Sequence, residues 1–387
     1  MYVHAIDCHW IDHQFFRSSF LIKDNEPIQK LKAVGISQLV IDTEKGKNCE
    51  APESVDEIQA TLEKSYHSVG EKREGATKQV TAADELKHAR IIFKEATQVI
   101  HTLMDDVRLG KQVELENIEH ITEKVVNSVF RNKDALISLT RIKDRDEYTF
   151  MHSVSVSGLM ATFARDQGMP RDIIEQVTMG GLLHDVGKML IPANILNKPD
   201  KLTDEEFGIM KLHVDMGRAI LATSSGLRQE AMDVVTMHHE HFDGSGYPQG
   251  LQGEQISEIG QMAMIVDVYD ALTSVRCYKE AWEPAYTLKK LLEWSGTHFK
   301  KEMVEHFIHC LGIYPVGSLV QLQSGLVGIV MEQNEHDLLR PDLRIIYNSR
   351  FEKYVQVKDI KLRKYPQDHI VQSVSPIKYN IDLGAFI

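Results

Sequence analysis

The chain has 387 residues, of which 43% are hydrophobic and 26% charged, the balance of an ordinary globular protein with room for two or three domains. No apolar run approaches the roughly 18–20 residues that cross a bilayer, and the N-terminus lacks the pattern of a signal peptide, so a cytoplasmic protein without membrane insertion is expected. A net charge of −12 argues against a surface that tracks a nucleic-acid polymer, although a small anionic ligand needs only a few local cations.

Short β-like runs with polar breaks, "SFLI" and "QLVID", fill residues 1–45 and predict a small N-terminal domain of β or α/β character. Residues 46–80 are polar and read as a linker. Helical periodicity then takes over, first at about 81–106 with Leu86, Ile91, Phe93, Val99, Ile100, Leu103 and Met104 at helical spacings. Further helices are expected at about 116–142, 148–167 and 171–184. Thr203 and Glu206 have capping-box spacing and should start a helix that carries His213. Ser257 starts another, through Met264, Asp267 and Ala271. Beyond Tyr314-Pro315 the pattern alternates around a Ser-Gly turn, so about 314–365 reads as a compact β appendage followed by a tail. The chain divides on this reading into a small N-terminal domain (1–65), a linker and connecting helix (66–106), a helical catalytic domain (107–313) and the C-terminal appendage and tail (314–387).

Cys8, Cys49, Cys277 and Cys310 are scattered without knuckle or redox spacing and read as reduced thiols. The 18 histidines are unevenly placed, and His152, His184, His213, His238 and His239 stand out together with Asp185 and Asp267. His184-Asp185 closes the apolar helical stretch "GGLLHDVGK", with Gly187 as its terminator. Taken alone, the pair reads equally well as a capped helix end. Asp267 lies in "MAMIVDVYDAL", where an ionised carboxylate is costly unless paired or bound to a cation. His152 and His213, taken singly, are ordinary helical histidines. Adjacent His238-His239, followed by Glu240 and a Gly-rich loop, seldom serves packing alone. As a set, imidazole nitrogens and carboxylate oxygens on rigid helices suit iron, manganese or zinc. Seven ligands with one bridging carboxylate are about enough for two ions that keep open positions.

"HDVGK" followed by "HHEHFDGSGYP" resembles the HD-GYP family of HD metallophosphohydrolases, and "YTFMHS", "MKLHVDMG" and "IVDVYDALTSVRCYK" extend the likeness, in order, over residues 146–285. Residues 1–65 resemble the small domain of unknown function often fused to these enzymes. The resemblance implies a mainly α protein, an HD-type helical bundle with the N-terminal domain and a C-terminal β appendage. It also implies a phosphodiesterase that opens cyclic di-GMP to linear pGpG, with GMP as the product of a further cleavage, by attack of a metal-activated hydroxide. Cyclic GMP-AMP hydrolysis is the alternative within the same chemistry. A non-catalytic receptor or scaffold is a further alternative, against which stands the presence of all seven ligand positions.

By the same resemblance, one ion is held by His152, His184, Asp185 and Asp267, and a second by His213, His238 and His239, with Asp185 bridging. Iron is the first expectation and manganese the second. Tyr148 stands where some relatives carry a glutamate for a third ion, which favours two. Lys188 would contact the phosphate near the metals, and Arg276 and Lys279 would grip substrate phosphates, the Arg fork bidentately. Cys277 replaces the family's usual proline between them. Tyr247 and Asp146 are further substrate contacts, while Asp243, Asp270 and Glu240 would orient ligands from behind. The N-terminal domain is expected to be regulatory or to form a homodimer, and contact with a diguanylate cyclase is a further implied partnership.

Overall fold

The computed structural model describes residues 1–6, 20–22, 25, 27–29, 39–47 and 64 of the N-terminal part, and residues 79–140, 148–222, 224–274, 281–334 and 336–386 of the remainder. The chain forms two compact units, Met1–Ser65 and Tyr66–Ile387. In the first, β1 (Tyr2–Ile6) lies between β2 (Phe20–Leu21) and β3 (Leu39–Ile41) in an antiparallel sheet, with Val3 fully buried.

The second unit is mainly α. Helix α1 (Ala82–Arg108) starts at Thr81, whose hydroxyl accepts from Asp84 N. Its buried stripe is Ala89, Ile92, Phe93, Ala96, Ile100, Leu103, Met104 and Val107. Ile91 falls off this stripe and is 65% exposed, so the helical spacing holds while the inward residue is Ile92. Helix α2 (Glu116–Leu139) is interrupted at Asn132 (φ −161°, ψ 108°), whose side chain donates to Val80 O and accepts from Asp134 N. The side chain thereby caps the backbone N–H of Asp134 at the break and ties it to the carbonyl of Val80, just ahead of α1.

Helices α3 (Tyr148–Asp166) and α4 (Arg171–Leu183) meet through small residues. A Cβ on Gly181 would lie 2.7 Å from Ser157 Cα, and one on Gly180 would lie 2.7 Å from Ala231 O. Two consecutive glycines therefore let α4 touch the backbone of α3 on one side and that of α8 (Gln229–Met237) on the other. This double contact packs α4 directly against both neighbouring helices. Between them run a 3-10 turn (Val186–Leu190), α5 (Ala193–Leu196), α6 (Asp204–Lys211) and α7 (His213–Leu221). Helix α9 (Glu258–Thr273), capped by Ser257, is buried along most of its length, and α10 (Pro284–Glu293) and α11 (Lys301–Leu311) complete the bundle.

The C-terminal strands β4 (Leu319–Leu322), β5 (Leu326–Glu332), β6 (Asp342–Asn348), β7 (Lys353–Lys361) and β8 (Ile370–Ser373) form one antiparallel sheet in the order β7-β6-β5-β4-β8. Val320, Leu322, Val330, Leu343 and Ile345 on one face join the helical core. Leu319, Val327, Ile329 and Ile346 on the other are covered by Val374 and Ile381. The segment beyond 365 is thus more than a tail: Ile370 pairs with Leu322 and the chain after it closes the second face. Among the described residues, no helix is long and apolar enough to cross a membrane. Cys310 is buried and free, while Cys8, Cys49 and Cys277 lie outside the described residues.

Candidate metal centre

His152 projects from α3, His184 and Asp185 from the end of α4, His213 from the start of α7, His238 and His239 from the end of α8, and Asp267 from α9. The structure brings all seven together, in two groups. His152, His184 and Asp185 each offer a donor atom within 4.8 Å of one another, and so do His213, His238 and His239. Asp267 joins the first group, its Oδ1 3.0 Å from His152 Nε2 and 3.8 Å from His184 Nε2, while its Oδ2 lies 3.8 Å from His239 Nδ1. Asp185 faces both: Oδ2 is 3.3 Å from His184 Nε2, and Oδ1 is 3.5 Å from His213 Nε2 and 3.9 Å from His238 Nε2.

The protein orients these rings from behind. The Nδ1–H groups of His184, His213 and His238 donate to the carbonyls of Gly181 (2.8 Å), Met210 (2.8 Å) and Val235 (2.9 Å). A carbonyl only accepts, so Nδ1 carries the proton and the Nε2 lone pair points inward. His152 Nδ1–H donates instead to Asp270 Oδ2 at 2.6 Å, the carboxylate–histidine arrangement that raises a ligand's basicity. Burial pushes His213 down to about 4 and His238 to about 3, and holds His239 well below the usual imidazole value. These rings are neutral donors at pH 7. Burial also disfavours charge on His184, but Asp185 and Asp267 outweigh it and raise its pKa. For Asp185 burial acts upward, yet His184 and Lys188 keep the carboxyl well below its usual range; Asp267 is held low in the same way, chiefly by His152.

Within this cluster His184 Nε2 and Asp185 Oδ1 are buried without a hydrogen-bond partner among the described residues. Such a group costs on the order of 1–3 kcal/mol, and a cation between them removes the penalty. Inward lone pairs, two low-pKa carboxylates and two orphaned donor atoms fit divalent metal ions.

Several expected roles change on inspection. Gly187 does not terminate α4: the chain turns at Asp185 into the 3-10 turn, and a Cβ on Gly187 would strike the carbonyl of His213. Its smallness lets the two groups approach each other. The capping box at Thr203 is present, but α6 ends at Lys211 and His213 opens the separate helix α7. Asp243 is exposed and its Oδ1 accepts from Ser245 N and Oγ, so it braces a turn instead of a ligand. Asp270 does orient a ligand, and Glu240 has a different task. Buried to 1% exposure, it accepts from Gln249 N (2.8 Å) and Leu251 N (2.9 Å), clamping the loop that carries Tyr247. A Cβ on Gly246 would collide with the backbone of Glu240 and His241, which is why that loop closes so tightly.

Lys188 Nζ donates to Asp185 Oδ2 at 2.6 Å, and Tyr247 stacks on His239 with centroids 4.7 Å apart. Asp146, Arg276 and Lys279 lie outside the described residues, as does the side chain of Tyr148. The sequence reading passed over Phe207 and Lys211 on α6, which meet the Tyr247 ring. Their spacing of four residues was the available signal.

Residues 129–303 match the family model of the HD domain, and residues 1–118 match that of a domain of unknown function (DUF3391). A cyclic di-GMP phosphodiesterase of Pseudomonas aeruginosa is 36% identical over 351 residues, 90% of this chain and 83% of that protein. In Vibrio cholerae, a 3'3'-cGAMP-specific phosphodiesterase is 38% identical over 165 residues (42% of this chain, 32% of that one). A cyclic di-GMP phosphodiesterase of the same species is 34% identical over 218 residues (50% and 44%).

Proposed function

Because the chain belongs to the HD-GYP family of HD-domain phosphodiesterases, we propose that it hydrolyses cyclic di-GMP to linear pGpG in the cytoplasm, using two divalent ions. The observation that carries this reading is Asp185, which turns one carboxylate oxygen toward each histidine group. One ion would be held by His152, His184, Asp185 and Asp267, the other by His213, His238, His239 and the shared Asp185. Iron is the first choice and manganese the second for such nitrogen and oxygen donors. Bound ions supply Lewis acidity, drawing charge from phosphate oxygens and making hydroxide available near neutral pH.

The chain's own groups do the rest. Asp270 locks the His152 ring, accepting from Nδ1–H so that Nε2 faces the other ligands. Lys188, next to Asp185 and partly exposed, places a cation where the phosphate and the departing ribose oxygen gather charge. Tyr247, held against His239, walls one side. Arg276 and Lys279 are assigned to the substrate phosphates by their place in the family motif. Cyclic GMP-AMP is the second reading, supported by the likeness to a relative specific for it. Iron-loaded, reduced protein assayed against both cyclic dinucleotides should turn over cyclic di-GMP faster. A metal-filled protein that hydrolyses neither sinks the proposal.

A further inference from the structure

Beside the candidate centre, α6 carries a cation, Lys211, next to two aromatic rings. Lys211 Nζ sits 4.9 Å from the Phe207 ring centroid and 5.6 Å from that of Tyr247, and among the described residues it makes no ion pair. Its neighbours are differently served: Lys188 is paired with Asp185 and Lys198 with Glu206. The three acids of the first turn of α6 are Asp204, Glu205 and Glu206, at the opposite end of the helix from Lys211. Glu206 is taken up by the capping box and Lys198.

The position is as specific as the charge. The capping box anchors the start of α6, yet none of the helix is fully buried, and the space beside Gly208 is open to at least 4 Å. Phe207 and Tyr247 meet edge to face, centroids 6.2 Å apart at 84°. Tyr247 is itself fixed, stacked on His239 and donating its backbone N–H to His239 O at 3.0 Å. A half-exposed ledge of one aromatic ring and one ammonium therefore adjoins the histidine groups, two residues ahead of His213.

A cyclic dinucleotide has two phosphodiesters and two bases, and only one phosphodiester occupies the reacting position at a time. The other half needs an anion partner and a flat apolar surface. We propose that Phe207 and Lys211 form the subsite for this uncleaved half, Lys211 meeting its phosphodiester and Phe207 stacking on its purine. The proposal rests on the cyclic-dinucleotide reading above. Base–aromatic stacking tolerates either purine, so the ledge serves cyclic di-GMP and cyclic GMP-AMP alike.

Lys211→Met keeps the aliphatic stem on Phe207 and removes the charge; Lys211→Arg keeps the charge; Phe207→Leu keeps apolar bulk and removes the flat face. Each full-length, metal-loaded variant is assayed on cyclic di-GMP and on bis(p-nitrophenyl) phosphate, which has a single phosphodiester and no purine. For Lys211→Met and Phe207→Leu, KM for cyclic di-GMP should rise about tenfold with kcat changed less than about threefold. The ratio of cyclic di-GMP to bis(p-nitrophenyl) phosphate efficiency should fall by a similar factor, and Lys211→Arg should restore most of it. An unchanged KM, or equal losses on both substrates, overturns the subsite while leaving the enzyme's reaction intact. Wild-type protein that cleaves bis(p-nitrophenyl) phosphate but neither cyclic dinucleotide overturns the parent reading and the subsite with it.

Discussion

His152 and His184 look onto carboxylates, with Asp267 3.0 Å from the first and Asp185 3.3 Å from the second, whereas His213, His238 and His239 look mainly onto one another, His213 and His238 meeting at 3.4 Å between their Nε2 atoms. Burial disfavours charge on His184, His213 and His238; in the first group the carboxylates reverse this for His184, and in the second nothing does so for His213 or His238. The first group is therefore anionic and attracts a cation unaided. The second is close to neutral and owes its attraction for a cation largely to the carboxylate oxygens at its edge, Asp185 Oδ1 3.5 Å from His213 and Asp267 Oδ2 3.8 Å from His239.

Removing the Asp185 charge is the severest test of the comparison. Asp185→Asn should lower phosphodiesterase activity by about 10³-fold or more, because charge stabilisation is lost on both sides. Bound metal, measured by mass spectrometry of the purified protein, should drop in both groups. Retention of two equivalents would break the idea that Asp185 serves both.

His238→Ala comes next. With only three imidazoles and a shared carboxylate on its side, the second group should lose its ion, and the first should keep one, held by Asp185 and Asp267. Metal content near one equivalent with activity down about 10²-fold is the expected result. Loss of both ions would show that the two groups form a single unit.

Asp270→Asn acts on the first group alone. The amide still accepts from His152 Nδ1–H but no longer strengthens the ring as a donor, so affinity at that side should fall about 10- to 100-fold. Competition against a chelator reads it directly, and the second ion should be released at its wild-type concentration.

How much of this was readable in advance follows from the range of the interactions. Helical period and capping are local, so α1, the Thr203 box and the Ser257 cap were legible, and so were the seven clustered side chains, whose chemistry is expensive to bury without purpose. The glycine contacts were not. Gly180 and Gly181 read as part of an apolar run, and only the crossing of α4 with α3 and α8 explains them. Gly187 read as a helix stop because a glycine after a helix usually is one; the carbonyl of His213, 26 residues on, is the actual reason. Ile91 and Ile92 are indistinguishable by residue type, and one residue of phase decides which is buried. Asp243 and Glu240 are both acids in one loop, yet two backbone amides nine and eleven residues away select Glu240 for the inside.

That selection yields the mildest perturbation. Glu240→Gln keeps the volume and one acceptor oxygen but turns an amide N–H toward the backbone N–H of Gln249 or Leu251. Leaving one buried donor unmet costs about 1–3 kcal/mol, and the loop between residues 240 and 251 has to absorb it, since the α8 end beneath is fixed by His238 and its carbonyl partner. Tyr247 rides on that loop and leans on His239, so the strain reaches the second group and bypasses the first. Metal affinity of the second group should fall a few-fold, KM should rise about threefold, and the first ion's affinity should be unmoved, all measurable in one metal titration followed by assay. A matching loss at the first ion would mean that the loop supports the whole centre, and the contrast between a carboxylate-rich half and a loop-supported half would then no longer hold.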